Sequence, residues 1–463
     1  MFGARIDLME KIIVKEMDEK RFNAIAGYSR SPAAAYVSKE LGWYSNDDES
    51  VIGVLLLDTI DLDYVSVVLG RDERGRFRAF DLECSIPNED KARQWLINAI
   101  RWHTSQGKKI FPQGDVSKGL DLFTPVVEPE KLHIYFSHLL HEDAFTPARE
   151  LIRNMMPNFV DVDGNFVEQF QTTGFDSRLW ELFLFAYLSE EELFVNRENN
   201  APDFLLQKYG KTVAIEAVIV GRKENNPPQY FRELPKIKSP DEVLKEHEAS
   251  MPIRFGSPLY TKLKKKYWEL PHVKGNPLVL AIADFHDDAS MLWSSTALIN
   301  YLYGVKHDFY YNEENKLVIN PKPIKSHKVG NKEIPSGFFF QENAENISAI
   351  LFSASGTISK FNRIGRQSGF KVDNVLMMRV GTCHDHDPNA AVPKMFKYVV
   401  DENCNETWAD GVSMFHNPNA KFPVPRELFP SIAHHYFKNG QVVSYLPDFY
   451  PYASWTFNMK LRK

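Results

Sequence analysis

The sequence has few cysteines and no long apolar run, and both absences narrow what the protein can be. Its 463 residues include only three cysteines, Cys84, Cys383 and Cys404. Three thiols cannot form a disulfide scaffold or a four-cysteine zinc site, and they suit a reducing compartment. No apolar run approaches the roughly 18–20 residues of a membrane span. The first twenty residues, MFGARIDLMEKIIVKEMDEK, lack the apolar core of a signal peptide. We therefore expect a cytoplasmic protein with no membrane partner.

Charge and length indicate a globular protein with more than one domain. The formal net charge of −6 argues against a protein that coats nucleic acid over its whole surface, although it is compatible with a local basic groove. A chain of this length exceeds what one compact core holds. We expect an N-terminal α/β domain without a catalytic signature over residues 1–145. A second domain over residues 146–365 and a C-terminal extension over residues 366–463, packed on that domain, would follow.

Between Gly174 and Gly365 the apolar pattern predicts a regular order of elements. GFDSRLWELFLFAYLSE predicts a helix, EELFVNREN a short strand and APDFLLQKYGKTVAIEAVIVG a hairpin. SPLYTKLKKKYWELP predicts a helix capped by Ser257, with Pro258 at its first position and Pro271 as its stop. NPLVLAIADFH, SSTALINYLYG and ENISAILFSASG follow as strand, helix and strand. The expected fold class is therefore α/β (α+β).

Each strand of the hairpin carries one carboxylate. If Tyr209-Gly210 is a two-residue turn, Lys208 pairs with Lys211, and counting outward from that pair places Asp203 directly opposite Glu216. Like charges so close repel unless a cation lies between them, and an oxygen-ligated ion such as Mg²⁺ meets that need. An exposed edge strand with two solvated acids is the alternative. However, AIEAVIVG is apolar on both sides of Glu216, which is typical of a central strand.

The helix before the hairpin carries a third acid. In RLWELFLFAYL only Arg178 and Glu181 are polar, which is typical of a buried helix. Glu181 either pairs with Arg178 at a spacing of three residues or reaches the same cation as Asp203 and Glu216. The sequence leaves both roles open.

A helix with an acid, Pro202-Asp203 on one strand and Glu216 on the next together resemble the PD-(D/E)XK nuclease superfamily. The resemblance covers Gly174 to Gly365 and implies a restriction-endonuclease-like αβββαβ core with a mixed central sheet, in a bacterial branch. It implies that Asp203, Glu216 and Glu181 bind Mg²⁺, for which Mn²⁺ can substitute. It also implies a catalytic lysine two residues after Glu216. This chain has Val218 there, so the motif lysine is missing.

The missing lysine has candidates on the helix after the third strand, where some members of the superfamily carry a migrated catalytic residue. On a helical wheel that starts at Leu259, Lys266 falls inside the apolar stripe and Lys262 at its border. Both amines either extend to solvent or enter the site. We rank Lys262 first because it needs less burial, and Lys266 second.

Two basic segments are candidates for phosphate contacts. Arg254 and Lys264 lie on or before the same helix, and SKFNRIGRQSG contributes Lys360, Arg363 and Arg366. Ordinary surface charge is the alternative explanation for both segments.

The segment CHDHDP is a competing metal site. His384 and His386 would share one face of a strand, and they could bind zinc together with Cys383 or Asp387. A spacing of one residue between histidines is unusual for structural zinc, so this hypothesis ranks below the paired acids.

We interpret the sequence as a Mg²⁺-dependent nuclease that cleaves phosphodiester bonds in nucleic acid, with DNA favoured. Defence against foreign DNA would suit such an activity, and a homodimer stays open. The alternative is a catalytically inactive protein of nuclease fold that binds nucleic acid or acts as a scaffold. Lys262 and Lys266 amines more than about 8 Å from the Asp203 and Glu216 carboxylates would favour that alternative.

Overall fold

The computed structural model describes residues 11–115, 119–223, 228 and 238–461. The first ten residues of the segment considered above as a signal peptide lie outside the described residues.

The chain divides into two compact units rather than three consecutive domains. The first unit holds the described residues up to Thr124 together with Pro147–Val160 and Ile364–Lys371. The second unit holds the rest of the described chain. The later segments join the first unit through contacts such as the 2.7 Å hydrogen bond from Arg71 to Asn154.

The described residues form eleven α-helices. They are α1 (Glu19–Ile25), α2 (Pro32–Val37), α3 (Glu89–Ser105), α4 (Ile134–His141), α5 (Thr146–Met155), α6 (Phe166–Gln171), α7 (Phe175–Glu190), α8 (Pro240–Glu248), α9 (Ser250–Leu263), α10 (Ser295–Tyr303) and α11 (Ile358–Gln367).

The first unit contains a five-stranded antiparallel sheet in sequential order. Its strands are β1 (Val14–Met17), β2 (Ser38–Asn46), β3 (Val51–Asp58), β4 (Tyr64–Arg71) and β5 (Phe77–Ile86). Helix α3 packs its Leu96 and Ile100 against the sheet, where Gly53 leaves room for both side chains.

The second unit is built on an eight-stranded sheet in the order β19-β18-β17-β14-β9-β8-β7-β6. These strands are β6 (Phe194–Asn196), β7 (Phe204–Lys208), β8 (Lys211–Val220), β9 (Leu278–Asp284), β14 (Ala349–Ser353), β17 (Val412–His416), β18 (Ala433–Lys438) and β19 (Gln441–Tyr445). Strand β9 is parallel to both neighbours, β8 and β14, and is buried throughout, which explains its unbroken aliphatic sequence. The other pairings are antiparallel except β17 with β18. The expected mixed α/β class is therefore confirmed.

The remaining strands form smaller sheets in the second unit. They are the hairpin β10 (Val305–Tyr311) with β11 (Leu317–Pro323), the hairpin β12 (Ser326–Val329) with β13 (Lys332–Pro335), and the three-stranded set β15 (Val375–Cys383), β16 (Lys394–Val399) and β20 (Pro451–Lys460). Residues after 366 thus supply three strands of the large sheet itself, instead of only packing on it.

The predicted pairing of the central hairpin is confirmed. Lys208 pairs with Lys211, and the register continues outward to Phe204 opposite Ile215. The turn between the strands, Tyr209-Gly210, has φ values of 53° and 71°, as a two-residue mirror-image turn requires. The next positions outward are Asp203 and Glu216.

The predicted start and end of helix α9 are wrong. The helix begins at Ser250 rather than after Ser257, and Pro258 lies inside it. Burial of Met251 and Phe255 in the core of the second unit stabilises the additional turns despite the proline. At the other end the helix stops at Leu263, and Lys266 has a left-handed φ of 51°. Among the described residues, no helix combines the length and apolar character that crossing a membrane requires.

Candidate functional site

A cavity of about 1030 Å³ in the second unit contains the predicted acids. It is bordered by α7, by the second half of β8, by α9 and by the tip of the β12–β13 hairpin. Its charged lining comprises the acids Glu181, Asp203 and Glu216 and the bases Arg178, Arg222, Lys223, Arg254, Lys262 and Lys332.

Asp203 and Glu216, called the acid pair below, lie side by side at one end of the hairpin. The backbone N–H of Asp203 donates to Glu216 Oε2 at 3.3 Å. The backbone N–H of Ala217 donates to Asp203 Oδ2 at 2.7 Å. Each carboxylate is therefore held by the backbone of the opposite strand, as the hairpin register predicts. Glu216 is 4% exposed, so its strand is not a solvated edge.

Lys262 reaches the acid pair from helix α9. Its amine forms an ion pair with Glu216 Oε1. Val218, on the same strand as Glu216, lines the cavity where the motif lysine would stand. Burial alone would lower the pKa of Lys262, but the Glu216 carboxylate outweighs it and raises that pKa above its usual value. The amine is therefore a cation at neutral pH.

Repulsion between the two carboxylates of the acid pair is not fully compensated by Lys262. Burial and the charge of Glu216 together raise the pKa of Asp203 to about 6. Burial and the same carboxylate raise the pKa of the nearby Tyr267 hydroxyl to about 12. Both shifts have the direction expected of excess negative charge in a poorly solvated place.

Glu181 is bound by two arginines. Its Oε1 accepts from Arg178 at 2.7 Å and its Oε2 from Arg197 at 2.8 Å. Burial and then the charge of Asp203 nevertheless raise the pKa of Glu181. The Arg178 pairing considered from the sequence is therefore present, and Glu181 is also close enough to sense Asp203. Trp180 fixes the helix in this position by donating to the Ala281 carbonyl at 2.9 Å.

The donor set suits a hard divalent cation. Asp203 Oδ1 accepts no hydrogen bond from the residues that the structure describes. The described parts of the chain contain no group of three or more His, Cys, Asp or Glu side chains arranged for a metal ion. Mg²⁺ commonly takes one or two protein carboxylates and completes its shell with water and phosphate oxygens. Two adjacent carboxylates in a cavity fit that requirement, whereas the two arginines on Glu181 compete with its role as a third ligand.

The other residues predicted on or near α9 are divided by the structure. Arg254 lines the cavity. Lys264 is exposed, and its amine lies 4.5 Å from the centre of the Tyr260 ring. Lys266 is outside the helix, with 55% of its side chain exposed, and forms an ion pair with Glu269 at 3.8 Å. Neither Lys264 nor Lys266 is among the residues lining the cavity.

The prediction that Lys360 and Arg363 bind nucleic acid needs correction. Together with Arg379 they surround Glu406, and the side chains of all four are at most 2% exposed. Their charged groups are unavailable to a phosphate because Glu406 already occupies them. We call these four residues the sealed cluster. Arg366, the third predicted contact of this segment, is half-buried and belongs to the first unit.

The histidines of CHDHDP bind neighbouring residues. His384 Nδ1 lies 2.9 Å from the Tyr452 hydroxyl, and His386 Nε2 lies 2.9 Å from the Asp448 carbonyl. Cys383 is buried at the end of β15. The side-chain hydrogen bonds described for these two histidines are thus to a hydroxyl and a carbonyl, and their rings lie 4.8 Å apart.

Several basic residues of the site were missed by sequence reasoning. Arg222 lines the cavity directly after β8 and pairs with Asp288 and, at 3.7 Å, with Asp176. Lys332 lies on a hairpin that the sequence analysis did not assign. The Gly330-Asn331 dipeptide between its two short strands was an available turn signal.

Comparison of the chain with protein-family models, with curated proteins and with solved structures found no match.

Proposed function

We propose that this chain is a Mg²⁺-dependent nuclease that hydrolyses phosphodiester bonds in nucleic acid, with DNA as the favoured substrate. The observation that carries the proposal is the acid pair with the Lys262 amine on Glu216, in a cavity whose other charged residues are mostly basic. Cleavage of a polyanion needs carboxylates that bind a cation, one nearby ammonium group and surrounding positively charged side chains.

The order of elements around the cavity supports the same proposal. Helix α7, the antiparallel strands β6, β7 and β8, helix α9 and the parallel strand β9 occur in this order along the chain, with the additional helix α8 between β8 and α9. This order is similar to the αβββαβ core of the PD-(D/E)XK nucleases. Insertion of the hairpins β10–β13 and addition of β17–β19 to the sheet distinguish this chain from that minimal core.

Asp203 and Glu216 would hold the cation through carboxylate oxygens. A bound Mg²⁺ would polarise a phosphate oxygen and acidify a water molecule. The raised pKa of Asp203 supports this assignment because a cation beside the pair removes the repulsion that causes the shift.

The role of Lys262 follows from its charge. An amine that stays protonated at neutral pH does not remove a proton from water. It donates hydrogen bonds, so it would orient the attacking water or offset negative charge that develops on the phosphate. The absence of a lysine at position 218 is then compensated, because the lysine ammonium comes from α9 instead of from β8.

Cleavage of plasmid, single-stranded DNA and RNA with Mg²⁺ or Mn²⁺ tests the proposal. We expect Glu216→Gln and Lys262→Met each to lower the cleavage rate on the order of 10²-fold or more, because the first weakens the hold on the cation and the second removes the ammonium that offsets charge on the phosphate. Glu269→Gln and Lys265→Met remove exposed charges beyond the helix end and serve as matched controls with unchanged rates.

Cleavage that is the same in Glu216→Gln and the wild type would sink the nuclease proposal. Absence of cleavage in the wild type, with nucleic acid still bound, would point to the inactive nuclease-fold alternative that Val218 suggests.

A further inference from the structure

The cavity contains positive charge that its acids leave uncompensated. Arg178 pairs with Glu181, Lys262 with Glu216, and Arg222 with acids beyond the cavity lining. Arg254 and Lys332 also line the cavity, yet neither forms an ion pair with any residue that the structure describes. The same holds for Lys223, which is exposed directly after Arg222.

The hairpin that carries Lys332 is fixed firmly to the rest of the second unit. His327 of β12 is buried, and its Nδ1 donates to the Glu248 carbonyl at 2.9 Å. Its Nε2 accepts from the Ser336 hydroxyl at 2.8 Å. Burial lowers the pKa of His327, so the neutral ring that this pattern requires is the favoured form.

Helix α9 packs closely against the same hairpin. A Cβ atom at Gly256 would lie 2.7 Å from the Tyr301 hydroxyl and 3.0 Å from Ile334 Cδ1. Glycine allows this approach without displacement of either side chain. The hairpin is therefore packed against α9 at the wall of the cavity.

One face of the hairpin extends from the contacts of His327 and Ile334 to the cavity. His327 pairs with Ile334, and Val329 with Lys332, so all four side chains share one face of the two-stranded sheet. The first pair packs against the helices, and the second, next to the turn, lines the cavity. Lys328 pairs with Glu333 and lies on the opposite face.

We propose that the β12–β13 hairpin is a wall of the substrate groove, on which Lys332, together with Arg254 of the adjoining helix α9, binds the phosphodiester backbone beside the phosphate at the acid pair. The position of the cleaved phosphate in this inference rests on the proposed function. The choice of a polyanionic ligand rests on the charges of the cavity. A polyanion with evenly spaced charges suits two cations that line the same cavity without an ion-pair partner among the described residues, and phosphate contacts of this kind act on every sequence alike.

Equilibrium binding of a fluorescent DNA duplex of arbitrary sequence, followed by anisotropy in EDTA over a salt series, tests the inference without cleavage. Each lost phosphate contact lowers the slope of log affinity against log salt concentration by about 0.9. If wild type and variant bind equally at about 1 M salt, the variant therefore binds roughly 8-fold more weakly at about 0.1 M salt. We expect that loss for Lys332→Gln and for Arg254→Gln. Lys328→Gln removes the same charge from the outer face of the same hairpin, on the neighbouring strand β12, and we expect less than about a twofold change.

Equal effects of Lys332→Gln and Lys328→Gln would overturn the inference, as would a polyglutamate competitor as effective as unlabelled DNA. Because Lys332 and Lys328 are exposed and Arg254 is half-buried at the cavity surface, we expect unchanged thermal melting for all three variants, which would exclude misfolding as the cause. The two proposals fail separately. Glu216-dependent cleavage without a Lys332 effect on binding sinks only the hairpin assignment, whereas a Lys332 effect without any cleavage sinks only the nuclease assignment.

Discussion

The acid pair and the sealed cluster are opposite arrangements of buried charge within one unit. The acid pair has two carboxylates and one lysine beside a cavity, whereas the sealed cluster has three cations around one carboxylate. Burial and like charge raise the pKa of Asp203 to about 6. In the sealed cluster burial would raise the pKa of Glu406, but its three partners hold that pKa well below the usual range. The two carboxyl groups thus differ in the sign of their shift.

That difference separates a candidate site from a structural ion cluster. A cation that enters the cavity would stabilise a carboxylate whose charged form is disfavoured, and the cavity beside the acid pair has space for one. A carboxylate whose charged form is already favoured has no such gain, and Glu406 is itself buried. The sequence offers both segments as functional candidates on residue type alone. Burial and the direction of the pKa shift distinguish them.

The strongest test of the comparison is removal of the single acid from the sealed cluster. Glu406→Gln would remove the carboxylate that forms ion pairs with Lys360, Arg363 and Arg379, and breaking a buried ion pair costs roughly 3–5 kcal/mol. We expect the free energy of unfolding in urea to fall by at least that amount. Glu427→Gln removes the acid of an exposed pair with Lys211 and is the matched control, with a loss of about 0–1 kcal/mol. Similar losses in both variants would show that the cluster is not structural.

The hairpin shows what could be predicted from sequence and why. A two-residue turn permits one register, so a single assumption about Tyr209-Gly210 fixed which residues face each other for the whole length of both strands. The position of Asp203 opposite Glu216 followed without knowledge of any other element. Local geometry determined this part of the site, and local geometry is readable from the chain.

Helix α9 shows where the same reasoning stops. Ser257-Pro258 is a good start signal, yet the burial of Met251 and Phe255 in a core made by distant segments extends the helix before it. The helix also ends at Leu263, and Lys266 has a left-handed backbone, so a helical wheel does not describe the position of Lys266. Lys262 was still identified correctly as the lysine nearer the acids, because it lies before the break.

The sealed cluster was misread for a related reason. Lys360 and Arg363 are spaced like surface residues of an amphipathic helix, and their partner Glu406 lies on a segment more than forty residues later. No local pattern connects them. Partners that are distant in sequence decide whether a basic helix contacts solvent, ligand or a buried acid.

The acid pair should respond to charge removal with a sign opposite to that of the sealed cluster. In EDTA at neutral pH we expect Asp203→Asn to raise the free energy of unfolding by about 1 kcal/mol, because it removes one of two like charges. The folded pKa of about 6 exceeds the ordinary value of 3.8, so the folded protein binds more protons between those values. Wild-type stability therefore falls as pH rises through that window, and the variant lacks this fall.

Urea titrations from below pH 4 to neutral pH measure this difference, with Asp163→Asn at an exposed position as the control. Added Mg²⁺ should stabilise the wild type more than the Asp203 variant, because the ion binds the folded pair and lowers its repulsion. A destabilised Asp203→Asn protein at neutral pH in EDTA would contradict the assignment of excess negative charge to this pair.

The smallest effect is expected at Lys266, a predicted site residue that belongs neither to the acid pair nor to the sealed cluster. Its left-handed φ of 51° costs a side-chain-bearing residue roughly 1 kcal/mol, which Lys266→Gly would recover. Glycine also costs about 0.5–1 kcal/mol through greater freedom of the unfolded chain, so the two effects nearly cancel. Lys265→Gly, one residue earlier and without positive φ, should show only the loss. Stability of Lys266→Gly below that of Lys265→Gly, or a slower cleavage rate, would restore Lys266 as a functional candidate and shift the boundary of the site beyond the end of α9.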